Sequence, residues 1–593
     1  MTGKPFEISF GDRRIVVLPG QTIAAALHAA DVRSWRRTRS GGRPRGLFCG
    51  IGACHDCLIS VNGGPAVRAC LTEAAHGDEV TPPWTAMPGG SSKEEEPLAE
   101  VPVPVDVAVI GAGPAGMAAA LAAARHGRQV TVVDAGARPG GQYHRQPAER
   151  LAAQLPGQVG ADPTGRDVTG SVAGHPRITL RPDDAVWAAG PAPGGTVPGE
   201  GFALRLTSGG TLRARSVVLA TGAHDLALPF PGWDLPGVMT AGGAQALVKG
   251  QLVRPGHRVV VAGTGPFLLP VAATLAEAGA RVLGVFEANH PADWLTRLPA
   301  VAGQPGRLRE AAHYLRVLRR HRVPVHYRHA VVAAHGDSEV EAVSVARLGP
   351  DWTIRPGSRR RLQVDTVATG YGFVASVELA LALGCATTVD LAGTPIVVTD
   401  DDQRTTVAGV YAAGEVTGIG GAQLAAVEGE LAGRAAADLA ESGHRAKSGG
   451  LAMSGGGRPS PLTARTHLHR RRDRQRRFAA ALAETYRIRP GWLSWLREDT
   501  LICRCEEVPV SRIRHAVDTL AVTDPRAAKL TCRAGLGMCQ GRICAFPLAA
   551  LLGAAGGAAV DPTPLAGRPI AVPVPLGTIA ATTDPDPVTE EQS

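Results

Sequence analysis

The feature that most constrains this chain is a glycine-rich turn between two apolar runs in residues 105–135. The first run ends at a Gly-x-Gly-x-x-Gly turn, an Ala-rich stretch follows, and a second β-branched run ends on Asp134. The glycines of such a turn permit a tight bend, close approach of the backbone to a pyrophosphate, and close packing of helix on strand. The acid lies where it can bind a ribose hydroxyl. We therefore predict a strand–turn–helix–strand unit that binds a dinucleotide through Gly111, Gly113, Pro114, Ala115, Gly116 and Asp134.

Four later segments extend this prediction to FAD. A second Gly-rich loop follows the acid directly, as in flavoproteins with two dinucleotide-binding folds, and a short strand at 184–187 could present its backbone to the adenine. A buried strand then ends in Thr-Gly, and a strand-to-helix turn carries Gly-Glu, whose N–H groups and carboxylate could hold the ribityl and pyrophosphate. Glu415 could instead be a helix-capping acid. The predicted FAD contacts in these segments are Gly141, Gln142, Val186, Thr221, Gly222, Gly414 and Glu415.

A second nucleotide-binding pattern lies between these segments. It has Gly263 and Gly265, but Leu268 stands where the third glycine belongs, and Glu287 occupies the ribose position. Because no Arg cluster follows Glu287, a 2′-phosphate has no evident partner and NADP is disfavoured. NADH, another adenine nucleotide or no ligand remain open for this fold. No CxxC lies near the flavin segments, which argues against disulfide exchange.

The ten cysteines fall mainly into two clusters. Cys49, Cys54 and Cys57 have the C-x4-C-x2-C spacing of plant-type ferredoxins, with Cys70 as a distal fourth ligand, which indicates a [2Fe–2S] cluster. Zinc is the alternative, although its ligands usually come in short CxxC pairs. His55, inside the loop, is expected to face solvent rather than bind metal.

The second cysteine cluster lies near the C-terminus. It combines a C-x-C pair with a distant C-x4-C pair, enough thiolates for a second [2Fe–2S] cluster. Cys532 is a fifth candidate, and zinc is again the alternative. We prefer Cys539 to Cys532 because a Gly-rich loop leads directly to it, whereas Cys385 is interpreted as a buried apolar residue. The predicted ligands are Cys503, Cys505, Cys539 and Cys544.

Bulk properties limit the partners and the compartment. A length of 593 residues predicts several domains, and a net charge of +9 is weak evidence for nucleic acid, so we expect no nucleic-acid partner. The N-terminus has no secretory apolar region, and the longest uncharged run, 543–560, is broken by Pro and Gly, so no membrane span is expected. Clustered cysteines without a signal peptide favour a reducing compartment, and we expect a cytoplasmic protein. The basic run at 467–477 is interpreted as a solvated helix face, with partner docking as the alternative.

These features predict a multidomain α/β protein. Its centre is a pair of nested Rossmann-like folds, preceded by an α+β ferredoxin-like domain and followed by a small helical [2Fe–2S] domain. The expected boundaries are 1–82 for the ferredoxin-like domain, 83–104 for a Pro- and Glu-rich linker, 105–235 and 370–442 for the FAD-binding domain, 236–369 for the inserted fold, 443–485 for a linker and basic helix, 486–570 for the C-terminal domain and 571–593 for a tail.

Four longer stretches carry a resemblance to a known family. They are Leu228 to Gln251, Val364 to Ser376, the turn GEVTGIGGAQLA and the closing RPIAVPVPLGTIA. From about Val105 onwards, the chain resembles the FAD-containing alpha subunits of hydrogen cyanide synthase, opine oxidase and hydroxyproline dehydrogenase. The segment RGLFCGIGACHDC resembles the small [2Fe–2S] subunit of the same complexes, here fused ahead of the alpha subunit. The tail cysteines resemble the bacterioferritin-associated-ferredoxin type of [2Fe–2S] domain, in which CxxC is the more general second pair.

The resemblance implies a division of labour between two chains. A separate FAD subunit of the D-amino-acid-oxidase type would remove a hydride from the C–N carbon of an amino acid, imino acid or opine. This chain would then relay the electrons to an acceptor, for which a membrane quinone or respiratory carrier is a candidate. Two alternatives remain open. One is an NADH-dependent reductase that supplies a ferredoxin or oxygenase, and the other is a non-catalytic redox sensor or cluster carrier.

Overall fold

The computed structural model describes residues 3–83, 104–154, 163–192, 201–297, 299–300, 303–445 and 461–580. The predicted linker at 83–104 and the Gly/Ser-rich stretch before the basic helix fall largely outside these residues, as do residues 581–593 of the predicted tail. The N-terminal module is a five-stranded sheet of order β2-β1-β7-β5-β6 with one helix packed on it. Its elements are β1 (Phe6–Phe10), β2 (Arg13–Val17), α1 (Ile23–Ala29), β3 (Arg36–Arg37), β4 (Pro44–Arg45), β5 (Leu58–Val61), β6 (Val67–Arg68) and β7 (Glu79–Thr81).

Local sequence explains the start of this module. Gly11 turns the chain between β1 and β2, as the hairpin pattern predicts. Helix α1 begins after Thr22, whose hydroxyl accepts the N–H of Ala25 at 3.3 Å and so caps the helix. The cysteine loop, residues 46–57, follows β4 and leads directly into β5.

A mixed sheet carries the predicted FAD-binding residues. Its main path is β10-β9-β8-β13-β12-β11, and the strands β10, β9, β8 and β13 run parallel. Parallel strands end at one edge of a sheet, so the turns after β8, β9 and β13 lie side by side. The elements are β8 (Val105–Ile110), α2 (Pro114–Arg125), β9 (Val130–Val133), α3 (Glu149–Gln154), α4 (Pro163–Ala173), β10 (Ile178–Arg181), β11 (Val186–Pro191), β12 (Phe202–Leu206), β13 (Thr211–Leu219) and β14 (Ala223–Asp225).

A second parallel sheet is inserted after β14. Its order is β15-β22-β16-β17-β18, and a three-stranded antiparallel sheet, β19-β20-β21, lies beside it. The elements are β15 (Val238–Thr240), α5 (Ala241–Gln251), β16 (Arg258–Gly263), α6 (Leu268–Glu277), β17 (Arg281–Glu287), a 3-10 helix (Pro291–Arg297), α7 (Pro305–Arg320), β18 (Val325–Tyr327), β19 (His329–His335), β20 (Ala342–Arg347), β21 (Arg360–Gln363), β22 (Thr366–Gly370) and β23 (Phe373–Ala375).

The chain then returns to the first sheet and ends in small helices. The elements are α8 (Glu378–Ala382), β24 (Thr387–Val389), β25 (Pro395–Val397), β26 (Val410–Ala412), a 3-10 helix (Gly414–Thr417), α9 (Ala422–Arg445), α10 (Pro461–Thr485), a 3-10 helix (Pro490–Trp495), β27 (Leu501–Cys503), β28 (Val508–Pro509), α11 (Val510–Leu520), α12 (Pro525–Cys532), α13 (Ala545–Gly556), a 3-10 helix (Thr563–Leu565) and α14 (Leu576–Ala580). Strand β26 pairs in parallel with β13, which brings the Gly-Glu turn to the edge where β8 and β13 end.

The basic helix α10 lies against the FAD-binding unit. Arg472 forms an ion pair with Asp401 at 2.9 Å, and Arg476 forms one with the buried Glu428 at 2.9 Å. Other arginines of the helix, Arg470 and Arg471 among them, are exposed. The run therefore supplies both an exposed helix face, with Arg470 and Arg471, and part of the packed face, with Arg472 and Arg476.

Candidate functional site

Two positions of the first glycine turn, Gly111 and Gly116, have no space for a side chain. A Cβ atom on Gly116 would lie 1.8 Å from the carbonyl oxygen of Gly111, and one on Gly111 would lie 2.3 Å from that of Ala220. Gly113 caps helix α2, and Pro114 takes its first position, where the missing N–H has no intrahelical partner to lose. The N-terminus of α2 is therefore held directly against the end of β8, in the geometry that presents backbone N–H groups to phosphate.

Asp134 closes this turn from the neighbouring strand. Its carboxylate accepts the N–H groups of Ala112 and Gly136, the latter at 2.7 Å. Burial raises the pKa of Asp134, and these hydrogen bonds oppose that shift. The backbone of Asp184, two residues before Val186, donates its N–H to the carbonyl of Asp134 at 3.0 Å. The structure thus brings the segment that leads into Val186 against the acid.

The Gly-rich loop that follows Asp134 folds back onto the turn. The N–H of Gly140 donates to the carbonyl of Ala112 at 2.8 Å, and a Cβ on Gly141 would lie 2.8 Å from the Cα of Gly113. Gln142 accepts a hydrogen bond from Arg145. Burial lowers the pKa of the Arg145 guanidinium, and the nearby thiols of Cys70 and Cys49 oppose that shift. The loop therefore packs on the glycine turn, and the charge of its Arg145 interacts with the N-terminal cysteines.

Two distant segments complete this edge of the sheet. Thr221 donates its hydroxyl to the carbonyl of Ser376 at 2.7 Å, and the N–H of Ser376 donates to the carbonyl of Gly222 at 3.0 Å. These bonds fix the strand crossing between the two nucleotide folds.

The turn at Gly414 lies across from α2. A Cβ on Gly414 would lie 2.8 Å from that of Ala115, and the Glu415 carboxylate accepts the N–H groups of Gly420 at 3.0 Å and Gly421 at 2.8 Å. Burial raises the pKa of Glu415 to about 7. Twelve of the thirteen residues predicted to bind FAD thus lie in turns and helix starts at the edge where β8, β9, β13 and β26 end, whereas Val186 begins β11. The assignment of all thirteen as FAD contacts stays a prediction.

The long helix α9 holds α2 in place through a feature that the sequence analysis missed. A Cβ on Gly429 would lie 2.0 Å from the carbonyl oxygen of Ala115, and one on Gly433 would lie 2.2 Å from that of Ala119. The two helices therefore touch backbone to backbone. The signal was present as two glycines four residues apart, which share one helix face.

The four N-terminal cysteines form two interacting pairs. The thiols of Cys49 and Cys54 interact, as do those of Cys57 and Cys70, and all four are buried. The N–H of Cys54 points at the sulfur of Cys49, at 3.4 Å, and the contact with Cys54 together with loop N–H groups lowers the pKa of Cys49 to about 7. Two thiolates per metal in two adjacent pairs suit the two irons of a [2Fe–2S] cluster.

The C-terminal cysteines repeat this arrangement. Cys503 interacts with Cys544, and Cys505 interacts with Cys539. Cys532 instead donates its thiol to the carbonyl of Ala528 at 2.9 Å, within its own helix. Among the described residues, no group of three or more His, Cys, Asp or Glu side chains is arranged to hold a single metal ion. Two pairs of thiols at each site suit the two irons of a [2Fe–2S] centre. The ligand assignment at both sites stays a prediction.

The expectation that His55 faces solvent is wrong, because the residue is only 4% exposed. The C-terminal domain covers the cysteine loop, and the sulfur of Cys505 lies 4.0 Å from the carbonyl oxygen of Cys54. Burial lowers the pKa of His55 to about 3, and Arg68 and Arg542 contribute. Local sequence gives no sign of this cover, since the covering residues lie more than 400 positions away.

The second glycine turn is built like the first, with one difference. Glu287 accepts the hydroxyl of Thr264 at 2.7 Å and the N–H groups of Gly265 and Asn289, both at 2.9 Å. Burial raises the pKa of Glu287 to about 7. Leu268 begins helix α6 and is buried. This fold retains the acid of a ribose site but lacks the close helix–strand contact that Gly116 allows in the first fold.

The fold and site define a class of protein, the flavoproteins with two nested dinucleotide-binding folds, here joined to an iron–sulfur module. Residues 105–432 match the pyridine nucleotide-disulphide oxidoreductase family, and residues 3–83 match the 2Fe-2S iron-sulfur cluster binding domain. The chain belongs to the pyridine nucleotide-disulphide oxidoreductase family. It is therefore an FAD-dependent oxidoreductase with an N-terminal [2Fe–2S] domain, as the sequence predicts.

Two curated relatives align over most of their own length. The hydrogen cyanide synthase subunit HcnB of Pseudomonas aeruginosa is 32% identical over 447 residues, which are 74% of this chain and 90% of that protein. An opine oxidase subunit of Agrobacterium tumefaciens is 35% identical over 460 residues, or 74% of this chain and 84% of that protein. These matches confirm the predicted family resemblance. Both relatives are named as subunits.

One solved structure shares the fold over nearly the whole chain. The L-proline dehydrogenase from P. horikoshii aligns with a TM-score of 0.64 at 20% identity and covers 97% of this chain and 98% of its own. The expected multidomain α/β flavoprotein fold is thus confirmed. In the described part of the chain, no helix is both long and apolar enough to cross a membrane.

Proposed function

We propose that this chain is the electron-transfer subunit of a heteromeric dehydrogenase that oxidises an amino acid, an imino acid or an opine. The observation that carries the proposal is the continuity of three sites in one chain. The loop at 140–145 contacts the predicted FAD turn and carries Arg145, whose charge interacts with Cys49 and Cys70. The N-terminal cysteine loop in turn contacts the C-terminal one.

This arrangement suits a relay that converts a pair of electrons into single electrons. Bound FAD accepts two electrons together and releases them singly, and each iron–sulfur cluster carries one. The chain's own residues hold these centres. The glycine turn and Asp134 position the dinucleotide, and Glu415 fixes the loop at the opposite end. The eight paired cysteines supply the thiolate ligands. Burial and N–H groups around these sulfurs would set the reduction potentials of the clusters.

The partner in this proposal is a D-amino-acid-oxidase-like FAD subunit, which would bind the amine and remove the hydride. The relatives are named as a subunit of hydrogen cyanide synthase and a subunit of opine oxidase, so a hetero-oligomer is the expected assembly. We further propose that the complex works in the cytoplasm, does not bind nucleic acid and delivers electrons to a quinone or another respiratory acceptor.

Metal content and electron paramagnetic resonance (EPR) test the relay within the chain. The purified protein should contain FAD and four irons, and reduction by dithionite should give two distinct [2Fe–2S] signals. Cys54→Ser should remove one signal and Cys505→Ser the other, whereas Cys385→Ser and Cys532→Ser should remove neither. A protein that binds zinc, or that loses its second signal on Cys532→Ser, would contradict the assignment.

The complex with its partner tests the substrate class. The chain should be co-purified with an oxidase-like partner and mixed anaerobically with proline, hydroxyproline, glycine, sarcosine or an opine. One of these should bleach the flavin and then reduce both clusters. Reduction by none of them would exclude the proposed reaction.

The second candidate function is an NADH-dependent reductase that supplies a ferredoxin or an oxygenase. The buried Glu287 beside the second glycine turn favours it, because an acid at this position can bind a ribose. Anaerobic mixing with NADH should then bleach the flavin within the turnover time. A flavin spectrum that NADH leaves unchanged would exclude this function and leave the amine relay.

A further inference from the structure

The two cysteine sites share one buried wall. Cys49, Cys54 and Cys539 belong to a single apolar cluster that also contains Phe48 and Trp233. The Cys505 sulfur lies 4.0 Å from the Cys54 carbonyl oxygen. The ligand loops of the two modules are therefore in van der Waals contact.

An ion pair bridges the loops at this contact. Asp56 lies between Cys54 and Cys57 in the first loop, and Arg504 lies between Cys503 and Cys505 in the second. Both Nε and Nη2 of Arg504 donate to one oxygen of Asp56, at 2.9 and 2.6 Å. The side chains are 5% and 2% exposed, so water does not screen their charges.

Aromatic rings enclose the guanidinium group of Arg504. Its central carbon lies 4.0 Å from the ring centre of Phe48 and 4.8 Å from that of Trp233, and Nη1 donates to the Trp233 carbonyl at 2.6 Å. Cation–π contacts and charge-assisted hydrogen bonds compensate a buried guanidinium for its lost hydration. This environment fixes Arg504 in one position.

The pair also touches a ligand atom directly. The N–H of Asp56 donates to the sulfur of Cys54 at 3.4 Å. On the other side, the Arg504 carbonyl accepts from the buried Arg45 at 3.5 Å, and Arg45 donates to Asp234 at 3.4 Å. A displacement of either charged side chain would therefore move backbone next to cysteines of both sites.

We propose that Asp56 and Arg504 form a shared positioning pair, which fixes the separation of the two iron–sulfur centres and links their reduction potentials. The inference rests on the proposed function, in which both cysteine sites hold [2Fe–2S] clusters. With a [2Fe–2S] centre held by the cysteines of each site, the transfer step would move one electron from the reduced centre to the oxidised one. No bond forms or breaks in that step, and no proton moves, because the two charged side chains keep their charges.

The electrostatics predict reciprocal effects across the contact. A buried charge acts over several ångströms because the surrounding dielectric is low. Loss of the negative charge in Asp56→Asn should favour the added electron in both clusters and raise both reduction potentials. Loss of the positive charge in Arg504→Gln should lower both potentials, and the double variant should return both towards the wild-type values.

Redox titration followed by EPR measures these shifts in the full-length protein. Asp78→Asn is the matched control, since Asp78 is also a buried acid of the N-terminal module but bonds to Asn62 and Ala75. The control should leave the potential of the C-terminal cluster unchanged. The proposal is overturned if each substitution at the bridge shifts only the cluster of its own loop.

Iron content separates this inference from the proposed function. A wild-type protein with a single [2Fe–2S] signal would refute the two-cluster function itself, whereas two signals with independent potentials would refute the shared pair alone. If either single variant loses iron, the neutral double variant decides the question. Recovery of both signals in the double variant supports the shared pair, whereas iron loss confined in each single variant to the site of the substituted loop contradicts it.

Discussion

The contact between the N-terminal module and the second nucleotide fold should weaken in acid because of His28. This residue lies on α1 and is 6% exposed. Its Nε2–H donates to the carbonyl of Pro255 at 2.7 Å, whereas Nδ1 has no hydrogen-bond partner among the described residues. Protonation would place a second N–H donor there without an acceptor. Burial accordingly lowers the pKa of His28 to about 4, and Arg33 reinforces the shift.

The sign and size of the effect follow from linkage between protonation and folding. Between pH 6.5 and about 4, the unfolded chain binds a proton at His28 that the folded chain does not, so stability is lost as the pH falls. A shift of this size corresponds to about 3 kcal/mol in total, of which about 2 kcal/mol is lost by pH 5. Above pH 6.5 the contribution is fully present.

Urea unfolding at pH 7.5 and pH 5 tests this prediction. His28→Gln keeps an N–H donor for Pro255 but cannot be protonated. The difference in unfolding free energy, variant minus wild type, should therefore be about 2 kcal/mol larger at pH 5 than at pH 7.5. Visible circular dichroism of the N-terminal cluster gives the readout for that module. His313→Gln, at an exposed position on α7, is the control and should show no such change. A difference between wild type and His28→Gln that does not vary with pH would refute the argument.

Two further predictions concern glycines at backbone contacts. In Gly243→Ala, the new Cβ would lie 2.7 Å from the carbonyl oxygen of Phe48, so amide hydrogen exchange in the cysteine loop should accelerate. Gly306→Ala is the control, because open space surrounds Gly306, and it should leave exchange unchanged. In Gly433→Val, the new side chain would meet the carbonyl of Ala119, so α2 should shift at a cost of about 3 kcal/mol or more and the protein should purify with less FAD. Full flavin content in this variant would contradict the assigned packing.

Sequence alone was sufficient for the first nucleotide fold because its determinants are local. Gly111, Gly116 and Asp134 lie within one strand–turn–helix–strand unit, and each has a steric or hydrogen-bonding reason to be where it is. Gly414 lies far along the chain, yet its own strand-to-helix turn identifies it. The parallel pairing of β13 with β26 then brings it to the same edge.

Contacts between modules could not be predicted in this way. Asp56 and Arg504 are separated by 448 positions, and each has the ordinary sequence appearance of a solvent-exposed charge. The same assumption, that a polar residue in a loop faces solvent, led to the wrong expectation for His55. A signal did exist, since Asp56 lies between Cys54 and Cys57, Arg504 lies between Cys503 and Cys505, and their charges are opposite. It acquires meaning only once the loops are known to face each other.

The packing also bears on whether the N-terminal module could work as a swinging carrier on a tether. Leu27 of α1 lies in one continuous apolar cluster with Leu247 of α5 and Val271 of α6. Undocking would cost about 25 cal/mol of free energy for each Å² of apolar surface that it exposes. It would also separate Asp56 from Arg504. A carrier that detaches in each turnover needs a weak, polar interface, and this interface is apolar at one end and bridged by buried opposite charges at the other. The described contacts therefore favour electron transfer between centres held at fixed separation.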